Sequence, residues 1–147
     1  MSPNPNPAAQ PLTETLIRKA DYIARRGFTY VAEPKGRDRW RSYAEQALAG
    51  RRWSGDCDDL ASTTIDVLLA LAPNADMSRI FRCLARSADC APGVPYDHFV
   101  AAVKLPHAGV WVIGDTYRDA APYQHSPHHI VQYAAVSEGV TWRNGHP

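Results

Sequence analysis

The chain has 147 residues, a formal net charge of +1 at pH 7 and a hydrophobic content of 45%. This length suits one domain with a single core, and the apolar content excludes a disordered chain. A near-neutral charge creates no field that would attract nucleic acid or anionic lipid, and no run approaches the roughly 20 apolar residues of a membrane span. We therefore predict a globular protein with no nucleic-acid partner and no membrane partner.

The N-terminus predicts a flexible arm over residues 1–11, followed by one domain over residues 12–147. The arm contains four prolines, Pro3, Pro5, Pro7 and Pro11, a composition typical of extended or disordered segments. It has neither the basic start nor the apolar stretch of a secretory signal, which favours a cytoplasmic protein. Three cysteines, an odd number, agree with a reducing compartment and with at least one free thiol.

Two helices are predicted in the first third of the chain. Apolar residues recur with a helical period from Leu12 to Arg26, Thr13 is available as the N-cap, and Gly27 ends the helix. A turn-rich connection, "FTYVAEPKGRD", follows. The segment over 40–49 then predicts a second helix that ends at Gly50.

The third predicted helix has the clearest pattern, and it places a cysteine in its first turn. Six residues lie on one face at helical spacing: Leu60, Ala61, Thr64, Val67, Leu68 and Leu71. Pro73 ends the helix, and Ser54 or Asp56 is available as its N-cap. Cys57 therefore lies at the end of the helix where the backbone N–H groups and the helix dipole favour an anion.

Downstream the apolar period changes to two, which predicts three antiparallel strands. They are "RIFRCLARS", "HFVAAVKL" and "GVWVIGD", and turn residues separate them. Cys83 alternates with Phe81 and Ala85 and is therefore expected in the core. The tail "HHIVQYAAVS" fits a helix or a strand. The predicted fold class is α+β, with N-terminal helices and the cysteine helix packed on a small antiparallel sheet.

Cys57, His98 and Asp115 supply the three groups of a thiol-based acyl-transfer site. A nucleophilic cysteine needs a base within hydrogen-bond reach and usually a third group that orients the base. His98 opens the second predicted strand, and Asp115 follows the third. If these strands are hairpin neighbours across "LPHAG", the two side chains fall near the same end of the sheet. Each residue alone is more often structural, but the three in this order favour a catalytic triad.

Three segments, "GDCDDLA", "DHFVAAV" and "WVIGDTY", resemble the signature blocks of the bacterial transglutaminase-like cysteine peptidases in the papain and transglutaminase superfamily. The resemblance extends upstream through "DRWRSYAEQALAGRRWSGDCDD" and covers about residues 12 to 118. It implies a papain/transglutaminase-like fold and a protein that acts inside a bacterium or is carried by a bacterial virus. It also implies that Cys57 is the nucleophile, His98 the general base and acid, and Asp115 the residue that orients the histidine.

The chain departs from the family pattern at four positions beside these blocks. Asp58 stands where the family usually has Glu, Leu60 where it often has Tyr, Asp97 where it has Gly and Thr116 where it has Asn. The first change keeps the charge. The other three adjoin the catalytic positions and therefore bear on substrate choice more than on the triad.

Three carboxylates surround the cysteine in "GDCDD", although like charges oppose the formation of a thiolate. The resemblance implies a calcium site at Asp56 and Asp58, because the acidic residues that flank the cysteine bind calcium in the adhesin-processing members, which are periplasmic. Calcium prefers carboxylate oxygens, and its charge would offset the repulsion. The alternative is that Asp56 caps the helix while Asp58 and Asp59 favour its positive end. The thiol chemistry itself requires no cofactor.

An acyl-transfer site also needs donors for the oxyanion. The backbone N–H of Cys57 is the natural first donor. Trp40 and Trp53 are candidates for a second, and packing is the alternative role for each.

The segment "HSPHH" supplies His125, His128 and His129. A zinc site with Cys83 and Cys90 is disfavoured, because the chain has no CxxC pair and the spacing of these cysteines is not a zinc signature. The alternative places the three histidines at the rim of the cleft.

The leading functional hypothesis is a thiol hydrolase that cleaves a peptide or isopeptide bond of a protein or peptide substrate through an acyl-enzyme on Cys57. One alternative delivers the acyl group to an amine, as transglutaminases do. A second is a binding module that retains the fold without turnover. The sequence leaves the substrate and the oligomeric state open.

Overall fold

The computed structural model describes residues 9–32 and 41–147, which form three α-helices and eight strands. The helices are α1 (Glu14–Arg25), α2 (Ala44–Leu48) and α3 (Cys57–Leu71). The strands are β1 (Phe28–Tyr30), β2 (Trp53–Gly55), β3 (Ile80–Arg86), β4 (His98–Leu105), β5 (Gly109–Ile113), β6 (Ala121–Pro122), β7 (His129–Ala135) and β8 (Arg143–Asn144).

The first two helices follow the sequence pattern, with shorter bounds than expected. Thr13 caps α1, and its side chain accepts a hydrogen bond from the Leu16 N–H at 3.2 Å. Leu12 precedes the helix but is buried in the core, which explains its place in the apolar period. In the described residues α2 begins only at Ala44, and the expected start at Trp40 lies outside them.

α3 begins at Cys57, with Asp56 as its N-cap. Asp59, three residues later, completes a capping box: its N–H donates to Asp56 Oδ1 at 3.5 Å, and the Asp56 N–H donates to Asp59 Oδ2 at 3.2 Å. This reciprocal pair satisfies two backbone donors at the helix start. The expectation of a cap at Ser54 or Asp56 is thus settled in favour of Asp56, and Cys57 lies in the first turn as expected.

The six-stranded sheet is antiparallel, in the order β6-β5-β4-β3-β7-β8. The three predicted strands are β3, β4 and β5, and they are adjacent. The ambiguous tail is the strand β7, which pairs with β3. The sheet is therefore larger than expected, because β6 and β8 have only two residues each, too few to show a period of two.

β1 and β2 form a separate parallel pair that the sequence did not indicate. Each has three residues, and the first lies at the start of the segment expected to be a connection. The pairing places Tyr30 beside Gly55, so this short pair brings the end of β1 to the start of α3.

The main core lies between the helices and one face of the sheet. Its fully buried members include Ile17 and Ala20 of α1, Leu60 and Ile65 of α3, and Ala101 of β4. This packing confirms an α+β arrangement in which the cysteine helix covers the sheet. A smaller cluster on other sheet positions contains Phe81, Cys83, Val100, Ala102, Val112, Ile130 and Ala135, which confirms Cys83 as a core residue.

Residues 9–11 of the expected arm lie within the described part of the chain. The Gln10 N–H donates to the Asn74 carbonyl at 3.2 Å, and Gln10 Oε1 accepts from the Asn74 N–H at 2.9 Å. Gln10 is therefore attached to the loop after α3. Residues 1–8 lie outside the described residues. No helix in the described part of the chain is long and apolar enough to cross a membrane.

Candidate active site

Cys57 is half-buried at the N-terminus of α3, and all of the helix residues from Asp58 to Ile65 are buried. The capping box requires Asp59 to fold back over Gly55. A Cβ on residue 55 would lie 2.6 Å from both the Cβ and the Oδ2 of Asp59, far inside van der Waals contact. Glycine at this position therefore allows the helix to start directly at the cysteine, which accounts for the spacing in "GDCDD".

His98 and Asp115 meet at one end of the sheet. Ala101 pairs with Ile113 in the hairpin of β4 and β5, and this register brings the first residue of β4 to the loop after β5. His98 Nε2 lies 2.9 Å from Asp115 Oδ1, and both side chains are buried. The expectation that a hairpin would bring them together is confirmed, and Nδ1 is the imidazole nitrogen left for another partner.

Asp115 is held as a carboxylate by its neighbours. Burial acts to raise its pKa, but the hydrogen bonds from His98 and from the Tyr117 N–H lower the pKa below its ordinary value. An ionised Asp115 can orient the His98 ring and stabilise an imidazolium.

The loop that carries Asp115 is fixed to α1 by the buried Asp21 and the half-buried Arg25, which form an ion pair. Asp21 Oδ1 accepts from the Gly114 N–H at 2.8 Å, and Asp21 Oδ2 accepts from the Ala120 N–H at 3.1 Å. Arg25 pairs with Asp21 at 3.0 Å and donates from Nη1 to the Asp115 carbonyl at 2.9 Å. The same two side chains therefore hold the backbone before, at and after Asp115.

Cys57 and His98 open onto one cavity of about 330 Å³. Its lining consists of Tyr30, Cys57, Asp97, His98, Thr116 and Tyr117. Asp115 is buried behind the imidazole. A thiol and an imidazole thus face shared space, while the carboxylate lies where water does not reach it. The roles of nucleophile, base and orienting residue remain predictions for these three side chains.

Two exposed tyrosines form the walls of this cavity. Tyr30 and Tyr117 are 55% and 60% exposed, and the Tyr117 ring packs edge-on against His98 with centroids 4.8 Å apart. Burial of the Tyr30 hydroxyl and the charges of Cys57 and Asp56 raise the pKa of this phenol. Tyr30 therefore keeps its proton in the cavity that it lines with Cys57.

Asp97 is a fixed negative charge at the cavity. Its carboxylate accepts from the Ser87 N–H at 2.7 Å and from the Ser87 hydroxyl. Burial acts to raise the pKa of Asp97, but these hydrogen bonds lower it below its ordinary value. Asp97, which stands where the family has glycine, therefore attaches the loop before β4 to the end of β3. It also places a negative charge in the wall of the cavity.

The histidines of "HSPHH" do not act as a cluster. His125 and His129 are exposed, and none of the three lines the cavity that contains Cys57, so the expectation of a histidine rim is wrong. His128 is buried, and its Nε2 lies 3.3 Å from Asp115 Oδ1 and 3.1 Å from Asp115 Oδ2. It contacts the carboxylate that also binds His98.

No zinc site forms with the cysteines among the described residues. Cys83 lies in the core, where burial raises the pKa of its thiol strongly. Cys57, Cys83 and Cys90 are all free thiols, which agrees with the expectation of at least one.

The carboxylates of Asp56, Asp58 and Asp59 have oxygen atoms within 4.8 Å of one another, and all three residues are buried. Capping accounts for Asp56 and Asp59. Asp58 Oδ1 accepts from the Asp59 N–H at 3.1 Å, whereas Asp58 Oδ2 is buried and has no hydrogen-bond partner among the described residues. An orphaned carboxylate oxygen in an all-oxygen donor set fits a hard cation such as calcium.

The structure assigns Trp53 to packing, the alternative considered for it. Its ring is buried and stacks on Tyr43 with centroids 5.2 Å apart. The indole N–H donates to the Ala24 carbonyl at 3.0 Å, so this donor is already used and does not serve an oxyanion. Trp40 lies outside the described residues.

Sequence reasoning missed Asp21, Arg25, His128 and Tyr30. Asp21 carried a weak signal, because it lies four residues after Ile17 on the apolar face of α1. Arg25 lies one turn after Asp21 on the same helix. His128 reaches the site through a turn before β7 and Tyr30 through the parallel pair of strands, and neither segment shows a periodic pattern in the sequence.

No protein-family model matches the chain, and no curated protein matches it. Among solved structures, LapG of Legionella pneumophila superposes with a TM-score of 0.60 over 82% of this chain, at 19% sequence identity. The chain spans 64% of the length of that LapG chain. The likeness shows a shared fold of helices and sheet.

Proposed function

We propose that this protein is a papain/transglutaminase-like thiol hydrolase that cleaves a peptide or isopeptide bond through an acyl-enzyme on Cys57. The observation that carries the proposal is the shared cavity: Cys57 at a helix N-terminus and His98 line it together, and His98 is hydrogen-bonded to Asp115. The structural neighbour LapG is a transglutaminase-like cysteine protease, which supports the same chemistry on the same fold.

In the proposed reaction His98 accepts a proton and donates it again, first as the acyl-enzyme forms and then as it is hydrolysed. His98 accepts the thiol proton of Cys57 through Nδ1, and the thiolate attacks the substrate carbonyl carbon. The resulting oxyanion accepts a hydrogen bond from the Cys57 backbone N–H in the first turn of α3. His98 then gives its proton to the leaving amine as the C–N bond breaks, which leaves a thioester. Water then gives a proton to His98 and attacks the thioester carbon. The C–S bond breaks, the carboxylic acid product leaves, and His98 returns the proton to the Cys57 sulfur.

Alkylation of Cys57 by iodoacetamide at pH 7 is expected to be at least about tenfold faster than that of a free cysteine, which is only a few per cent thiolate there. Peptide mapping follows each cysteine separately. Cys90 is the internal comparator, because burial raises the pKa of its thiol. His98→Ala is expected to remove the difference.

The proposal fails if Cys57 reacts no faster than Cys90 and if Cys57→Ala retains every activity found with peptide substrates. Product masses with and without an added amine separate hydrolysis from acyl transfer. A binding module would bind peptide and leave its mass unchanged.

We propose further that Asp56, Asp58 and Asp59 bind calcium. The ion would supply positive charge at the start of α3, which offsets the repulsion between these carboxylates and a thiolate on Cys57. The support is the buried, orphaned Asp58 Oδ2, for which helix capping gives no reason.

Calcium at 100 times its Kd is expected to stabilise the protein by about 2.7 kcal/mol, and a chelator should remove this gain. Thermal unfolding with calcium and with chelator measures it without any substrate. Asp58→Asn should abolish the shift. Asp66→Asn, a half-buried aspartate farther along α3, is the control that should retain it. A wild-type melting temperature that is the same with calcium and with chelator would reject the site.

A further inference from the structure

His128 and His98 bind one carboxylate from two elements of the sheet. His98 begins β4, whereas His128 precedes β7. Asp115 Oδ1 accepts from His98 Nε2 at 2.9 Å and from the Tyr117 N–H at 3.0 Å. His128 Nε2 lies 3.1 Å from Oδ2 and 3.3 Å from Oδ1. The ring forms its hydrogen bond with Oδ1, whereas Oδ2 has no hydrogen-bond partner among the described residues. Contact with both oxygens restricts rotation of the carboxylate.

Three rings enclose this carboxylate. The His98 and His128 centroids lie 4.6 Å apart, and each ring lies 4.8 Å from the Tyr117 ring. His128 is 5% exposed, and its backbone N–H donates to the Ser126 hydroxyl at 3.1 Å. Both ends of the residue are therefore fixed, and the ring has a single orientation toward Asp115.

The surroundings of His128 favour its neutral form with the proton on Nε2. Asp115 supplies an acceptor for an Nε2–H, whereas Nδ1 is buried and has no hydrogen-bond partner among the described residues. Protonation would bury a second N–H without an acceptor and place a charge in a dry site. Burial, aided by the nearby His98, lowers the pKa of His128 although Asp115 acts to raise it.

We propose that His128 is a positioning residue of the thiol site: its neutral Nε2–H fixes the carboxylate of Asp115 in the orientation that holds His98, and its protonation disables the site. This inference rests on the proposed function. His128 does not touch the reacting atoms and acts only through Asp115.

Protonation has this effect because two cations would share one negative charge. When His98 accepts the thiol proton it becomes an imidazolium, and Asp115 stabilises it. A protonated His128 with its ring 4.6 Å away would compete for the same carboxylate and repel that imidazolium. The groups that face His128 are Asp115, His98, Asp97 and Tyr117. The rate of Cys57 alkylation should therefore fall when the pH drops far enough to protonate His128. This pH lies below the range in which histidines ordinarily titrate, because the pKa of His128 is lowered.

Two substitutions separate the hydrogen bond from the charge. His128→Leu removes the donor while it keeps an apolar volume, and His128→Gln keeps an N–H donor that does not titrate. His107→Gln, in the exposed turn between β4 and β5, is the control. Cys57 alkylation is measured across pH for each folded protein. In Cys57→Ala protein, NMR of the His128 ring nitrogens reports its tautomer and its titration without any catalysis.

At pH 7, His128→Leu is expected to slow Cys57 alkylation about 10-fold to 100-fold, the range typical of outer-shell partners. His128→Gln should restore the rate to within about threefold and extend it to lower pH, because its amide does not titrate. His107→Gln should match the wild type. A role in stability alone would lower the melting temperature but leave the rate and its pH profile in place.

Three results would overturn the inference. One is a folded His128→Leu protein with wild-type rate and pH profile. If that variant does not fold, the inference is overturned instead by a His128→Gln protein in which Cys57 alkylation declines at low pH just as in the wild type. Another is a His128 ring that is charged, or protonated at Nδ1, at pH 7. The third is a wild-type Cys57 no faster than Cys90, which rejects the proposed function itself and is thereby distinguished from the first two.

Discussion

Replacing Asp115 by asparagine is expected to slow the reaction about 10⁴-fold, the loss typical when the carboxylate of a catalytic triad becomes an amide. The amide carries no charge to stabilise an imidazolium on His98. It also offers an N–H to His98 Nε2, which lies 2.9 Å from Oδ1 in the wild type, and so favours the wrong imidazole tautomer. The fold should persist, because the backbone around Asp115 is bound to Asp21 and Arg25.

Cys57 alkylation and peptide cleavage both measure this loss. Asp119→Asn is the matched control, because Asp119 lies in the same loop with its side chain 87% exposed. Its 3.4 Å ion pair with Arg25 is exposed at the Asp119 side chain and contributes about 0–1 kcal/mol, so this variant should behave as the wild type. A D115N protein within tenfold of the wild type would show that the carboxylate does not orient His98.

The same substitution should change the pH dependence of stability. The pKa of Asp115 is lower in the folded protein than in the unfolded chain. This carboxyl therefore contributes stability above its ordinary pKa, and that contribution is lost as the pH falls through the folded value. Urea unfolding between pH 3 and pH 6 should show a smaller loss in D115N than in the wild type.

The parts of the site that the sequence predicted depend on local spacing. Asp56 and Asp59 are three residues apart, the spacing of a capping box, so the start of α3 at Cys57 follows from adjacent residues. The register of β4 on β5 follows from the alternation of apolar residues and a short turn, since a slip by one residue would reverse the faces. His98 and Asp115 meet for this reason.

The parts that sequence reasoning missed depend on contacts between distant segments. Tyr30 lines the cavity because β1 pairs in parallel with β2, and pairs of three residues carry no detectable period. His128 lies in a turn whose path is set by tertiary packing. Nothing in "HSPHH" distinguishes the one buried histidine from its two exposed neighbours.

Gly114 shows how closely α3 and the sheet approach at the site. It has a φ of +62°, and a Cβ there would lie 2.9 Å from the Ala61 Cα and from Thr64 Oγ1. The loop after β5 therefore lies directly against α3, and hydrogen bonds hold it in this position. In the described residues these bonds come from α1, through Asp21 and Arg25.

Asp21→Ala is therefore expected to destabilise the protein by at least about 2 kcal/mol, because two buried N–H groups lose their acceptor and each such loss costs about 1–3 kcal/mol. The alanine would leave the buried N–H groups of Gly114 and Ala120 without their acceptor. The only carboxylate left to pair with Arg25 among the described residues would be that of the exposed Asp119, at 3.4 Å. The loop that carries Asp115 would lose its attachment to α1. Urea unfolding measures the free-energy change, and Cys57 alkylation of the remaining folded protein measures its effect on the site.

Glu14→Ala is the matched control on the same helix. Glu14 pairs with Arg18 at the same spacing and the same 3.0 Å distance, but about half of each side chain is exposed. Exposed pairs of this kind contribute about 0–1 kcal/mol. The two variants remove the same charge from α1, so their difference isolates the buried contacts of Asp21. If Asp21→Ala costs no more than Glu14→Ala and leaves Cys57 as reactive as before, then α1 does not hold the Asp115 loop in place.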